Sequence, residues 1–160
     1  TVYHSVLEKN VYIALATTAN KLGRLIGENL TGANKKFMGT LGSAGIKVLE
    51  FEAARTGITE QEAKDNNINY KTVFVDGEDH SAYYPGGEDV YIKLIYNADT
   101  KILLGAQVAG KRGAVLRADS LAVAIQNKMT VQELANMDFL YAPPFATTWD
   151  IMNVAGNVAK

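Results

Sequence analysis

The sequence predicts an α+β fold, an antiparallel β-sheet flanked by helices, and three observations predict it. Alternating or short apolar runs, the mark of strands, fill the middle of the chain at residues 39–57, 71–75 and 90–109. Within the last of these, two apolar runs are separated only by Asn97-Ala98-Asp99-Thr100, a turn that suits an antiparallel hairpin. Helical three-to-four spacing appears before residue 32 and again after residue 112, so strands and late helices are segregated along the chain.

Taken in order, the chain begins at Thr1 in a loop-like stretch (TVYHSVLEKN) in which no strand or helix is expected, a beginning that suggests a piece cut from a longer polypeptide. Residues 14–30 place Leu15, Ala19, Leu22, Ile26 and Leu30 on one helical face, with Lys21, Arg24 and Glu28 opposite. Thr17 or Thr18 is expected to cap this helix and Gly32 to stop it. In residues 39–57, Ile46, Val48 and Phe51 alternate with Lys47 and Glu50, and the glycines at 39, 42 and 45 imply a turn or bulge. Thr59 and Glu62 form a capping box that opens a helix reaching about Asn66.

Strands are expected over residues 71–75 and 90–97, with a polar loop over 77–87 that holds Tyr83 and Tyr84, and again over 101–109. Residues 112–128 read as a helix whose apolar stripe runs through Val115, Leu116, Ala118 or Ala122, Ile125 and Met129. Thr130 and Glu133 make a second capping box, and a last helix is expected over 149–158. Pro143 and Pro144 lock φ and remove two donors, so residues 141–146 read as a rigid extended arm presenting Tyr141 and Phe145.

Composition excludes several classes of function. Sixteen basic against seventeen acidic residues in a 160-residue chain give a net charge of -1, which offers no electrostatic footprint for nucleic acid or an anionic membrane. The absence of cysteine excludes a disulfide framework, a thiolate metal site and a cysteine nucleophile within this chain. Two histidines without HxxxH spacing argue against zinc, and no metal is expected. No apolar run reaches membrane-span length and no signal-peptide pattern opens the chain, so a soluble, cytoplasmic protein is expected. There is no GxGxxG, GxxxxGK, GxSxG or HExxH pattern, so nothing here is expected to bind a dinucleotide or run nucleophilic catalysis by itself.

The runs YIALATTANKLGRLIGENL, ARTGITEQEA, HSAYYPG, IYNADTKILLGAQVAG and MTVQELANMDFLYAPPF together resemble the carboxy-terminal third of the pyridine nucleotide-disulfide oxidoreductase family. The branch they resemble is the NADH oxidase, NADH peroxidase and coenzyme A-disulfide reductase group. The resemblance implies that residues 1–32 end an FAD-binding domain and residues 38–160 form a dimerisation domain. FAD and NAD(P)H domains and a redox cysteine would lie upstream in the same polypeptide. The chain would then serve a homodimer, bind no cofactor alone and be inactive alone.

Residue by residue, the resemblance puts Leu15, Ala16 and Thr17 at a helix start aimed at the flavin, where amides and the helix dipole stabilise negative charge. Thr17 as a plain helix cap is the alternative. Tyr141, Pro143 and Phe145 match the arm that crosses the dimer to the flavin and substrate cleft of the other subunit. Tyr141, with Tyr83 and Tyr84, leans toward the coenzyme A-disulfide reductase side of the group, since the oxidases and peroxidases tend to carry phenylalanine in the place of Tyr141. Simple interface packing is the alternative for these tyrosines. His80 reads as an ordinary exposed loop histidine, Trp149 as an interface or core anchor, and Lys111, Arg112 and Arg117 as a solvated helix start in preference to a coenzyme A phosphate site. The tail has no histidine, unlike the His-Glu pair of the classical disulfide reductases. A reading from another class is a stand-alone small-ligand or protein-binding module with the arm and the YYPG loop as its pocket.

Overall fold

The computed structural model describes residues 1–159. Residues 1–11, expected to be loop, form a hairpin of β1 (Val2–His4) and β2 (Lys9–Val11). Neither strand alternates in the way that marks a strand; the turn is held instead by His4, whose Nδ1 accepts the amides of Val6 and Leu7. The hairpin is tied to the rest of the chain by paired backbone bonds between residues 3–5 and Thr40.

Helix α1 (Ala16–Leu30) follows as expected, but its N-cap is Leu15, in extended conformation and without a side-chain cap bond. Neither Thr17 nor Thr18 caps it; Thr18 is instead the one buried residue of the helix. Its apolar face is largely uncovered, with Ile26 and Leu30 exposed. The helix ends at Thr31, and Gly32 takes the positive φ that terminates it.

The body of the molecule is a five-stranded antiparallel sheet. Its strands are β3 (Ala44–Val48), β4 (Phe51–Gly57), β5 (Tyr70–Glu78), β6 (Asp89–Asn97) and β7 (Leu103–Gly110), in the order β3-β4-β7-β6-β5. Helix α2 (Glu60–Asp65) opens with the Thr59–Glu62 capping box and packs on one face, where Ile58, Ala63 and Ile95 form a small core. The other face carries Val73, Val75, Val90, Ile92, Leu94, Ala106 and Val108. Helices α3 (Ala114–Gln126), α4 (Val131–Ala135) and α5 (Ile151–Val158) cover it. The Thr130–Glu133 capping box is present. The α+β class therefore holds, with the main core between the sheet and its three late helices. Among the described residues no helix is long and apolar enough to cross a membrane.

Several expectations shift in detail. The stripe of α3 holds at Ala118 and Ile125, which are buried, and at Val115, Ala122 and Met129, which pack against the core, but Leu116 faces solvent, and Ala114, Arg117, Leu121 and Ala124 are buried as well. The alternation of Ile46, Val48 and Phe51 is real, but these residues are exposed. Residues 141–142 carry no regular structure and residues 143–145 turn, with the amides of Phe145 and Ala146 both donating to the carbonyl of Ala142. A fixed proline φ suits a turn as well as an extended arm. The last helix starts at Ile151 behind an Asp150 cap, so Trp149 lies outside it and is exposed.

Close approach at the centre of the sheet depends on glycine. A register shift in β6 between Ile95 and Tyr96 leaves Leu104 unpaired on β7, and the Leu104 carbonyl accepts the amide of Ile58 at 3.0 Å. A Cβ on Gly105 would stand 1.8 Å from the Ile58 carbonyl oxygen, backbone that cannot move aside. Gly105→Ala is therefore expected to cost about 3 kcal/mol or more, measured by urea denaturation. A Cβ on Gly45 meets nothing closer than Val115 at 3.5 Å, an ordinary van der Waals contact, so Gly45→Ala should stay within about 1 kcal/mol of the parent.

Candidate functional site

Two segments meet at one end of the sheet: the loop over residues 79–88, which joins β5 to β6, and the tail over residues 136–150, between α4 and α5. The loop is closed at its base, where the Asp79 amide donates to Glu88 O at 2.9 Å and the Glu88 amide donates to Asp79 Oδ1 at 2.9 Å. Arg112 donates from Nε to Asp79 Oδ2 and from Nη2 to Gly86 O, each at 2.7 Å. Burial pushes the Asp79 carboxyl upward, but the Arg112 guanidinium and the Glu88 amide outweigh it and hold the group below the usual aspartate range.

Ser81 joins loop to tail. Its amide donates to Pro143 O and its hydroxyl to Ala146 O, both at 3.3 Å. This brings the hydroxyls of Tyr83 and Tyr141 to 2.8 Å. The hydrogen bond to Tyr141 is the largest cause raising Tyr83 above an ordinary phenol, and the same bond is the largest cause lowering Tyr141. Either hydroxyl can donate across this contact, and of the two phenols Tyr141 is the one held below the usual range. The hydroxyls of Ser81 and Thr148 lower Tyr141 further.

The structure places the other site residues as follows. Tyr84 does not join the phenol pair; its ring meets His80 edge-on at 5.5 Å. His80, expected to be exposed, is 1% exposed, because the loop folds over it, and neither ring nitrogen has a hydrogen-bond partner. Pro143 lies in the turn and offers its carbonyl to Ser81. Phe145 is 71% exposed at the rim of a cavity of about 500 Å³ shared with Leu116, Phe139, Leu140 and Arg112. Thr17 lines a different cavity of about 470 Å³ with Lys21, Ser43 and Arg55, so the helix start at Leu15, Ala16 and Thr17 and the arm are not joined in one pocket of one chain.

The basic group at 111–117 is not a solvated helix start throughout. Arg117 is buried and donates to both carboxylate oxygens of Asp150, the shortest contact being 2.8 Å, to Asp79 O at 2.8 Å and to Gly113 O at 3.0 Å. Arg112 pairs with Asp79 and Lys111 with Glu88, so each cation of this group already has a carboxylate. Sequence reading missed Ser81 and the Arg117–Asp150 pair. A charge sharing a helical face with Ala114, Ala118 and Leu121 was a usable signal for Arg117, and Asp150 directly before an apolar helix was one for its cap. Nothing local marked Ser81. Among the described residues no cluster of acidic, histidine or cysteine side chains could hold a metal.

Residues 43–152 match the pyridine nucleotide-disulphide oxidoreductase, dimerisation domain. The chain belongs to this family. It is 36% identical over 157 residues to the NAD(P)H sulfur oxidoreductase (CoA-dependent) of Pyrococcus furiosus, covering 98% of this chain and 35% of that protein. It is 32% identical over 158 residues to the NADH oxidase of Enterococcus faecalis, covering 99% and 35%. Among solved structures, the NAD-dependent persulfide reductase from A. fulgidus superposes with a TM-score of 0.95 at 38% identity, covering 99% of this chain and 29% of that one. The chain thus spans about a third of the length of the curated relatives it matches.

Two outcomes follow from the polar network. Asp150→Ala leaves Arg117 buried without its carboxylate and removes the cap of α5; it should cost about 4 kcal/mol, far more than Lys111→Ala at a more exposed pair, both read by chemical denaturation. Because folding depresses the Asp79 carboxyl, its stabilisation is complete above the ordinary value near ~3.9 and is lost as pH falls through the depressed one. The Glu88 amide, which donates to that carboxylate, should lose hydrogen-exchange protection in that acid window in the parent. In Asp79→Asn the acid-dependent step should be absent.

Proposed function

We propose that the chain is the carboxy-terminal dimerisation part of an FAD-dependent NAD(P)H oxidoreductase, on the disulfide-reducing side of the NADH oxidase and coenzyme A-disulfide reductase group, working as a cytoplasmic homodimer. In this reading residues 1–32 end the FAD-binding domain and residues 38–160 form the dimerisation domain, with the FAD and NAD(P)H domains upstream in the same polypeptide. The observation that carries it is the hydrogen-bonded Tyr83–Tyr141 pair, in which the phenol held below its usual range, Tyr141, is exposed.

FAD, when bound, supplies hydride acceptance from NAD(P)H and onward electron transfer. Leu15, Ala16 and Thr17 fit its electron-rich edge, because the start of α1 carries no side-chain cap and its amides and dipole remain available to negative charge. Tyr141 gives its proton to the thiolate that departs when a disulfide substrate is cleaved, and Tyr83 steadies the Tyr141 oxygen left behind. A coenzyme A disulfide is a substrate of this class, and the coenzyme A dependence in the name of the Pyrococcus furiosus relative supports it. Phe145, carried by the Pro143–Pro144 turn, excludes water from the cleft of the second subunit.

The surface for that second subunit is an apolar band made of Leu116 and Val123, seven residues apart on α3, with Leu140 and Phe145 of the tail beside Leu116, all exposed. A net charge of -1 puts no strong like-charge repulsion in the way of self-association. By itself the chain is inactive, since it has neither a cysteine nor a dinucleotide fold.

In the full-length protein, Tyr141→Phe is expected to lower turnover of a disulfide substrate by about 10²-fold, while NAD(P)H still reduces the flavin at the parent rate in stopped flow. Parent-like turnover in Tyr141→Phe would sink the assignment. Leu116→Asp together with Phe145→Asp should convert the dimer to a monomer by light scattering across a dilution series.

A further inference from the structure

The two tyrosines come from segments that are far apart in sequence; Ser81 of the loop reaches the tail, and the side chain that bonds both segments from a regular element is Arg117. Its guanidinium bonds Asp150 with Nε and Nη2, nine residues beyond Tyr141, and Asp79 O with Nη2, four residues before Tyr83. Nη1 donates to Gly113 O, which fixes the arginine against the start of its own helix. Arg112 braces the same loop from outside through Asp79 and Gly86.

A buried ion pair is a poor source of net stability, since desolvation of both charges offsets much of their attraction. What a planar guanidinium does well is fix direction: several donors in one rigid fork meet acceptors on different segments at once. Lysine has one flexible ammonium and cannot hold Asp150 in a bidentate pair while reaching Asp79 O and Gly113 O. Removing that fork would let loop and tail slide relative to each other, and a hydroxyl contact of 2.8 Å does not survive a slide of an ångström.

We propose that Arg117 is a positioning residue for the reaction, a buried strut that registers the 79–88 loop against the 136–150 tail so that the hydroxyls of Tyr83 and Tyr141 meet. This rests on the role assigned above to Tyr141, and it extends that role to a residue that touches no substrate.

The test separates register from stability. In the full-length protein, tyrosine carrying ¹³C at Cζ is followed by NMR across alkaline pH, the Tyr141 signal being assigned by its loss in Tyr141→Phe. In the parent, Tyr83→Phe should move the Tyr141 titration upward, because the donated hydrogen bond is gone. In Arg117→Lys, Tyr141 should already titrate higher and Tyr83→Phe should produce no further change, a collapse of the double-mutant coupling. Asp150→Glu, which keeps the charge but lengthens the strut, should weaken the coupling in the same direction. Thr59→Ala, which removes the α2 cap and lowers stability far from the site, should leave the coupling intact.

Full coupling retained in Arg117→Lys and Asp150→Glu would overturn the proposal, as would loss of coupling in Thr59→Ala. The phenol readout does not depend on turnover. Retained coupling therefore leaves the Tyr141 assignment standing, and normal turnover in Tyr141→Phe removes that assignment while leaving the strut.

Discussion

The architecture depends on how small the centre of the sheet is. Strand β7 lies between β4 and β6 and carries Gly105, Ala106, Ala109 and Gly110, so both faces can be approached closely. On one face the backbone at Ile58 sits against Gly105, which leads straight into the Thr59 cap and α2. On the other, α3 packs on β4 and β7, and its N-terminus receives the Glu52 carboxylate on the amides of Ala114 and Val115. Since α3 carries both Arg117 and Leu116, its seat on small residues sets where the buried strut and the exposed band lie relative to the sheet.

The polar architecture of the site follows from that seat. Arg117 emerges from the buried side of α3 at the level where β5 leaves the sheet, and there it meets Asp79 O and the Asp150 cap of α5. Two loops that carry no regular structure are thereby bonded to one buried side chain. Ser81 then sets the last few ångströms, fastening the turn at Pro143. The tyrosine pair is thus the outcome of packing in the sheet and helices, and the prolines contribute by restricting what the turn can do, not by projecting a free arm.

Much of this was legible from residue patterns. Both capping boxes, the Asn97–Thr100 hairpin and the strand runs of β4 to β7 were marked by local rules that tertiary contacts did not override. Tyr83 and Tyr141 were also singled out, by resemblance, and the structure puts their hydroxyls together. What stayed hidden was non-local. His80 looks like a loop residue until the loop folds over it, and the β1–β2 hairpin depends on a histidine side chain closing its own turn and on Thr40. On α3, Leu116 was expected on the core face and faces solvent, while Arg117 beside it is buried at a position that hydrophobic counting assigns to solvent. No periodicity argument anticipates that a carboxylate 33 residues away will satisfy it.

The placement of these groups along the fold also bears on why a chemistry of this kind would need two subunits. Within one chain, the uncapped start of α1 and the aromatic turn line different cavities. The phenol proton and the amides suited to a negatively charged cofactor edge are therefore presented on separate surfaces. In the proposed homodimer a second copy would bring them together without any change in either fold, provided the tyrosine segments are rigid before association. Rigid segments lose little conformational freedom on docking, and a preorganised donor stabilises developing charge better than one that must be ordered in the act. A buried arginine that adds little net stability but fixes two loops is the kind of group such a division of labour requires.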